Sequence, residues 1–262
     1  MPDQHVTSME IRNSAARCIT GDRLAQTPRL VQHEIHIWTV ELDRQVHRKA
    51  RRDDVLAPAE RNRAARFRSE VDAHRFVERR TALRKILGGY LGIAPQAVAF
   101  DLNEFGKPSV HASNSCADLS FNASHSGTLA LIAVSRSVQI GIDVELKRSG
   151  VETLAIAARF FAAAELAALA ALDSCDLLDG FFNAWTRKEA IVKALGGGLS
   201  IPLDAFDVSL RPGEDAAILR WDIAGGGAQR WRMHHLEPAS GYVGALAVDS
   251  VAHVCRFGNW VG

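Results

Sequence analysis

The chain has 262 residues, of which 47% are apolar, and a formal net charge of +1, enough for a full hydrophobic core in one large domain or two modest ones. No apolar run is long enough to span a bilayer, and Met1-Pro-Asp-Gln-His5 lacks the basic start and apolar stretch of a secretion signal. A cytoplasmic protein with no membrane partner is therefore expected. Cys18, Cys116, Cys175 and Cys255 are scattered without a C-x-x-C pair, which speaks against a zinc site or disulfide framework and for reduced thiols.

Residues 1–32 show no clear period and few large apolar side chains, and read as a loose N-terminal extension. Glu34 to Leu42 is rich in β-branched and aromatic residues and predicts a strand. Pro58-Ala-Glu60 opens a helix, and Phe67, Val71, Phe76, Val77, Leu83, Ile86, Leu87, Tyr90 and Leu91 repeat at helical spacing until Gly88, Gly89 and Gly92 fray it. Short strands follow at about 98–102, 119–122 and 129–135, between turns at Gly106, Pro108, Asn114 and Gly127. The second half predicts a strand over 138–145, an alanine-rich helical region over 151–172, a helix over 185–195, and strands near 206–210, 230–236 and 242–248.

The two halves share this order and some residues. Arg84 to Ile93 matches Val192 to Ile201 at six of ten positions, and the stretch from Ser126-Gly127 to Val134 resembles that from Ser240-Gly241 to Val248. The offsets are 108 and 114 residues. The expected fold class is therefore α+β, a pseudo-twofold duplication with halves at 33–136 and 137–262 and a site at their interface. Glu189 lies opposite Thr81 and Lys188 opposite Arg80 in that alignment, so one metal site per chain is expected.

Arg44 to Lys85 carries fourteen Lys and Arg against six Asp and Glu. Such a stretch either attracts phosphate or acidic partners or is a solvated helix face. It lacks interleaved aromatics and zinc-finger spacing, so nucleic acid is not the expected partner.

Ile140-Gly-Ile-Asp143-Val-Glu145 alternates like a strand, which puts both acids on one face. Trp185 to Leu195 reads as a helix ended by Gly196 to Gly198, stacking Trp185, Glu189 and Lys193 at i, i+4 and i+8. If helix and strand cross, three carboxylates meet an ammonium, a set suited to a hard cation such as Mg²⁺ with phosphate nearby. Taken singly, each element has a plainer reading: Glu189 and Lys193 as a surface i,i+4 pair, Asp143 and Glu145 as the solvated face of a sheet, Gly141 as a turn or bulge as readily as a close approach.

Four ordered segments carry a resemblance: Gly106-Lys107-Pro108, Phe121-Asn-Ala-Ser124-His125-Ser126, Gly141-Ile-Asp143-Val-Glu145, and Trp185-Thr-Arg-Lys188-Glu189-Ala-Ile-Val-Lys193-Ala-Leu-Gly196-Gly-Gly198-Leu199. Together they resemble the marks of the large, monomeric Sfp-type 4′-phosphopantetheinyl transferases, from about residue 34 to the C-terminus. The resemblance implies a pseudo-dimeric α+β fold that moves the phosphopantetheine arm of coenzyme A onto a serine of an apo acyl or peptidyl carrier protein, releasing adenosine 3′,5′-bisphosphate. It implies Mg²⁺ on Asp143, Glu145 and Glu189, with Glu189 and Lys193 catalytic. Coenzyme A would be bound by Lys107, Ser124, His125, Lys188 and Lys193, with Arg63, Arg66 and Arg75 as candidates for its 3′-phosphate. Two other enzyme readings compete: an Mg²⁺-dependent nuclease built on Asp143…Glu145-Leu-Lys147, and a serine hydrolase, which lacks G-x-S-x-G. A carrier-binding module without turnover is the non-enzymatic alternative.

Overall fold

The computed structural model describes residues 29–43, 54–114, 118–224, 227–250 and 252–261. Most of the expected N-terminal extension (1–28), the start of the basic stretch (44–53), Cys18 and Cys116 lie outside the described residues. The chain is mixed α+β, as its patterning predicts. No described helix is long and apolar enough to cross a membrane.

The first sheet holds β1 (Glu34–Glu41), β4 (Leu119–Ser126), β5 (Leu129–Arg136) and β11 (Val254–Trp260) in the order β11-β1-β5-β4. The second holds β6 (Ile140–Leu146), β9 (Arg232–Leu236) and β10 (Tyr242–Val248) in the order β6-β10-β9. Pairing is antiparallel throughout except between β1 and β11, which run parallel. Two short hairpins lie outside these sheets: β2 (Phe100–Leu102) with β3 (Pro108–Val110), and β7 (Phe206–Val208) with β8 (Ile218–Trp221).

Central strands with both faces covered read as continuous apolar runs, and β5 and β10 are such strands. Ala130, Ile132 and Val134 of β5 pack against α2 (Glu70–Leu91), while Leu131 and Ala133 turn toward Ile140, Ile142 and Val144 of β6. In β10, Val243, Ala245 and Ala247 pack with α5 (Leu177–Leu195), while Leu246 and Val248 join the apolar layer between the sheets. The result is helix, sheet, sheet, helix, with the sheets meeting where β4 lies beside β6.

The expected first long helix is two helices, α1 (Pro58–Ala64) and α2, because Ser69 caps α2 by accepting from Asp72 N at 3.2 Å. The helix also runs through Gly88 and Gly89, where fraying was expected, to Leu91. The alanine-rich region is likewise two helices, α3 (Thr153–Phe160) and α4 (Ala163–Ala170). The C-terminal strand β11 was not anticipated, and it joins the sheet of β1 rather than that of β10, which precedes it in the chain.

Glu60 of α1 ties this layer down. Its Oε2 accepts from the backbone of Ala57 and from Arg84 Nε at 2.7 Å, and Arg80 pairs with Oε1. Burial alone would raise its carboxyl, but the Arg84 hydrogen bond and the Arg80 charge prevail and hold it below the ordinary value. A depressed folded-state value means that the stabilisation is present above the unfolded-state value and is lost as pH falls through the folded-state one. Glu60→Gln is therefore expected to cost about 1.5–3 kcal/mol at neutral pH. In urea unfolding at a series of pH values, the gap from the parent should close below about pH 4.

Gly141 sets how closely α5 approaches β6. A methyl group at this position would lie 2.0 Å from Ala190 O and 2.3 Å from Ala194 N, both helix backbone that cannot move aside. The close approach, not a turn or bulge, is what this glycine serves. Gly141→Ala should lift the helix off the strand, cost about 1–3 kcal/mol or more in urea unfolding, and misplace the acids that follow it.

Candidate active site

The period of two that turns Gly141 toward α5 also turns Asp143 and Glu145 that way. One helix turn apart on α5 stand Glu189 and Lys193, and the αL cap at Gly196 (φ +75) ends the helix just beyond them. The expected crossing is thus present: Lys193 Nζ donates to Asp143 Oδ1 at 2.6 Å. Trp185 lies one turn earlier, 5.9 Å from Phe181 in a stacked pair, and serves packing.

From the other side β4 supplies hydroxyls. Ser124 Oγ donates to Asp143 Oδ1 at 2.7 Å and accepts from Lys193 at 2.9 Å, and Ser126 Oγ donates to Glu145 Oε2 at 2.7 Å. Asn122 Oδ1 accepts from the Ile142 backbone at 2.8 Å, holding the two strands in register where their sheets meet. Sequence reasoning missed Ser126 and Asn122. The signal was available: Ser124 and Ser126 share the two-residue spacing of Asp143 and Glu145, and the two bonds both span nineteen residues.

Asp143 is 3% exposed, and its Oδ2 has no hydrogen-bond partner among the described residues. Burial pushes its carboxyl up, and Lys193 and Ser124 pull it partly back. Burial also raises Glu189 and Glu145, and the carboxylates raise one another. An orphaned buried oxygen among mutually repelling acids fits a hard cation, whose charge would settle both. The acids are not gathered as tightly as a bound ion would hold them, since Glu145 is turned to Ser126 and Asp143 to Lys193 and Ser124.

His125 points from β4 to the other side of the sheet, where Arg79 Nη1 donates to its Nδ1 at 2.8 Å. Burial, Arg79 and Lys193 push this ring down to about 4, so it is neutral and accepting at pH 7. An open groove of about 470 Å³ runs past His125, Arg79, Arg75, Phe76, Glu145 and Arg148. Arg79 was not anticipated.

The remaining candidates are more dispersed. Arg75 lines the groove but is held by both oxygens of Asp43, at 2.8 and 2.6 Å. The Arg63 guanidinium stacks 5.2 Å over Phe76, and Arg66 is exposed at the end of α1. Lys107 donates to Ala194 O at 2.8 Å and Asn103 to Gly196 O, so this turn caps the end of α5. Burial lowers the Lys107 ammonium to about 8.

Lys188 does not face the site, contrary to expectation. It follows Arg187 on the inward side of α5 and is fully buried, its Nζ 2.7 Å from Glu165 and donating to Leu203 O at 2.6 Å and to Phe206 O. Adjacent helix residues point about 100° apart, so Lys188 and Glu189 cannot serve one cluster.

An oxygen-only acidic cluster flanked by a lysine and open to a basic groove is equipment for metal-assisted transfer of a phosphate-bearing group. Two family models match the chain: "4′-phosphopantetheinyl transferase, N-terminal" over residues 34–137 and "4′-phosphopantetheinyl transferase superfamily" over 139–247. The chain is 36% identical over 231 residues to the 4′-phosphopantetheinyl transferase HetI of Nostoc sp., covering 88% of this chain and 94% of that one. It is 34% identical over 163 residues to the 4′-phosphopantetheinyl transferase Sfp of Bacillus subtilis, covering 62% and 70% of the two chains. To the human L-aminoadipate-semialdehyde dehydrogenase-phosphopantetheinyl transferase it is 29% identical over 165 residues, covering 60% and 53%. The chain belongs to the 4′-phosphopantetheinyl transferase family and is an enzyme of that class.

Proposed function

We propose that this enzyme transfers the 4′-phosphopantetheine arm of coenzyme A to a serine of an apo acyl or peptidyl carrier protein, with Mg²⁺ as its metal and adenosine 3′,5′-bisphosphate as the product released. The observation that carries the reading is the convergence on Asp143, one oxygen engaged by Lys193 and Ser124 and the other unpartnered. Asp143, Glu145 and Glu189 would hold the ion, which when bound supplies charge to the pyrophosphate and its leaving group.

The protein's own part is positioning and proton handling. A bond forms from the carrier serine Oγ to the phosphorus bearing the pantetheine arm, and the bond from that phosphorus to the bridging oxygen breaks. Glu189, raised by burial and by its acidic neighbours, accepts the serine proton. Lys193 offers its charge to the phosphate oxygens. The groove takes the rest of coenzyme A, with Arg79 as the cation nearest His125. Arg79 lines the groove, and its guanidinium would offer charge to a phosphate there.

We also read the two α+β halves as a duplication forming one monomer. In support, β1-β5-β4 and β6-β10-β9 repeat the same order once β11 is set aside: first strand, last strand, next-to-last. The buried acids repeat too: Glu60 caps α1 and pairs with Arg80 of α2, and Glu165 caps α4 and pairs with Lys188 of α5. The test of the function is the intact mass of an apo carrier protein after incubation with enzyme, coenzyme A and Mg²⁺. A gain of one phosphopantetheine, lost with chelator, is expected. No gain on fatty-acid, polyketide or peptide-synthetase carriers would overturn it.

A further inference from the structure

On the face of the second sheet opposite the acidic cluster, three residues that the transferase reading does not use come together. His234 (β9), His253 (the turn before β11) and Cys255 (β11) bring one ligand atom each to within 4.8 Å of one another. All three are buried, at 0%, 7% and 1% exposure. We propose that His234, His253 and Cys255 form a second, structural metal site, one that takes Zn²⁺ and ties β9 to β11.

The chemistry of the set is unlike that of the acids. Two imidazoles and a thiolate are borderline-soft donors that select Zn²⁺ over Mg²⁺, with water in the fourth position. The rings are already oriented for it. His253 Nδ1 donates to Ser250 O at 3.1 Å, which turns the lone pair of its Nε2 inward, the usual support for a ligating histidine. His234 Nε2 lies 2.6 Å from that atom. In the absence of a cation a proton joins the two rings, and a tetrahedral ion would spread them only to about 3.3 Å at ordinary zinc–nitrogen distances.

The pair stands on the inner face of its sheet, His234 beside Leu246 in a layer of mostly aliphatic side chains with Tyr242, where buried polar atoms cost stability unless they are paired or ligated. The position gives a cation there a purpose. β9 is the outer strand of the second sheet and β11 that of the first, so an ion here would join the two sheets at the edge away from β4 and β6. Chain spacing hides the site, since His234 and His253 are 19 residues apart.

The full chain carrying Asp143→Asn, which weakens the acidic cluster, should be kept reduced, stripped with chelator, desalted and loaded with Zn²⁺ or with Co²⁺ as a spectroscopic probe. About one equivalent of zinc retained per chain, a cobalt–thiolate charge-transfer band and a raised thermal midpoint are expected. Adding Cys255→Ser should abolish the band and weaken zinc retention by more than about 100-fold, beyond what loss of an outer-shell partner causes. His253→Gln, at the rim, should do the same with the far-ultraviolet circular dichroism unchanged. Folded protein that retains no zinc and gives no thiolate band would overturn the proposal, as would a band that survives Cys255→Ser.

Discussion

Asp143→Asn is expected to lower kcat/KM for carrier modification by about 10²–10³-fold, the loss that follows removal of one preorganised charge-stabilising group. The argument rests on what the carboxylate does at once. Its Oδ1 accepts from both Ser124 and Lys193, and its Oδ2 is free for the ion. Asparagine keeps the shape and one oxygen acceptor but brings no charge, so Lys193 loses its counter-ion and a cation held as proposed would lose a ligand. Stability should move little or rise. Burial already disfavours the ionised carboxyl, and a neutral side chain of equal size does not bear that penalty. The intact-mass time course gives the first quantity and urea unfolding the second. A variant within tenfold of the parent would show that Asp143 is not in the catalytic cluster.

The parts of this site legible in the sequence are those with a local period. Asp143 and Glu145 share a face because strands alternate, and Glu189 and Lys193 share one because helices repeat near four. That these two faces meet was an inference from residue chemistry, and Lys193 on Asp143 agrees with it. What was not legible depends on the third dimension. Ser69 breaks the first long helix by capping the second half, although apolar spacing runs on across it. β11 follows the last recognisable strand in sequence but crosses to β1 of the first sheet, a pairing no local pattern encodes. Arg79, three residues after Phe76 and four before Leu83, sits within the apolar spacing of its helix and became visible only when His125 was placed beside it.

Lys188 is where chemistry-first reading misled, and its replacement carries the second large expectation. Lys188→Met should cost about 3–5 kcal/mol of stability, the range for removing one partner of a buried ion pair. Glu165 would be left 2% exposed with its negative charge and only the backbone donors Ala162 N and Val208 N. The Leu203 and Phe206 carbonyls would lose their donor as well. The Glu165→Leu companion separates pairing from mere packing: alone it strands the ammonium, while the double variant removes both charges. The double variant should therefore recover most of the loss, since well-packed apolar pairs often match a buried ion pair in stability. A coenzyme A contact would behave otherwise. If Lys188 bound phosphate, Lys188→Met would raise the KM for coenzyme A several-fold in the protein that remains folded, and Glu165→Leu would not restore it. With Lys188 buried against Glu165 the KM should stay near that of the parent, because Lys193, on another face of α5, is the lysine proposed to contact substrate. Urea unfolding of the single and double variants, with KM measured below the unfolding midpoint, decides between the two roles.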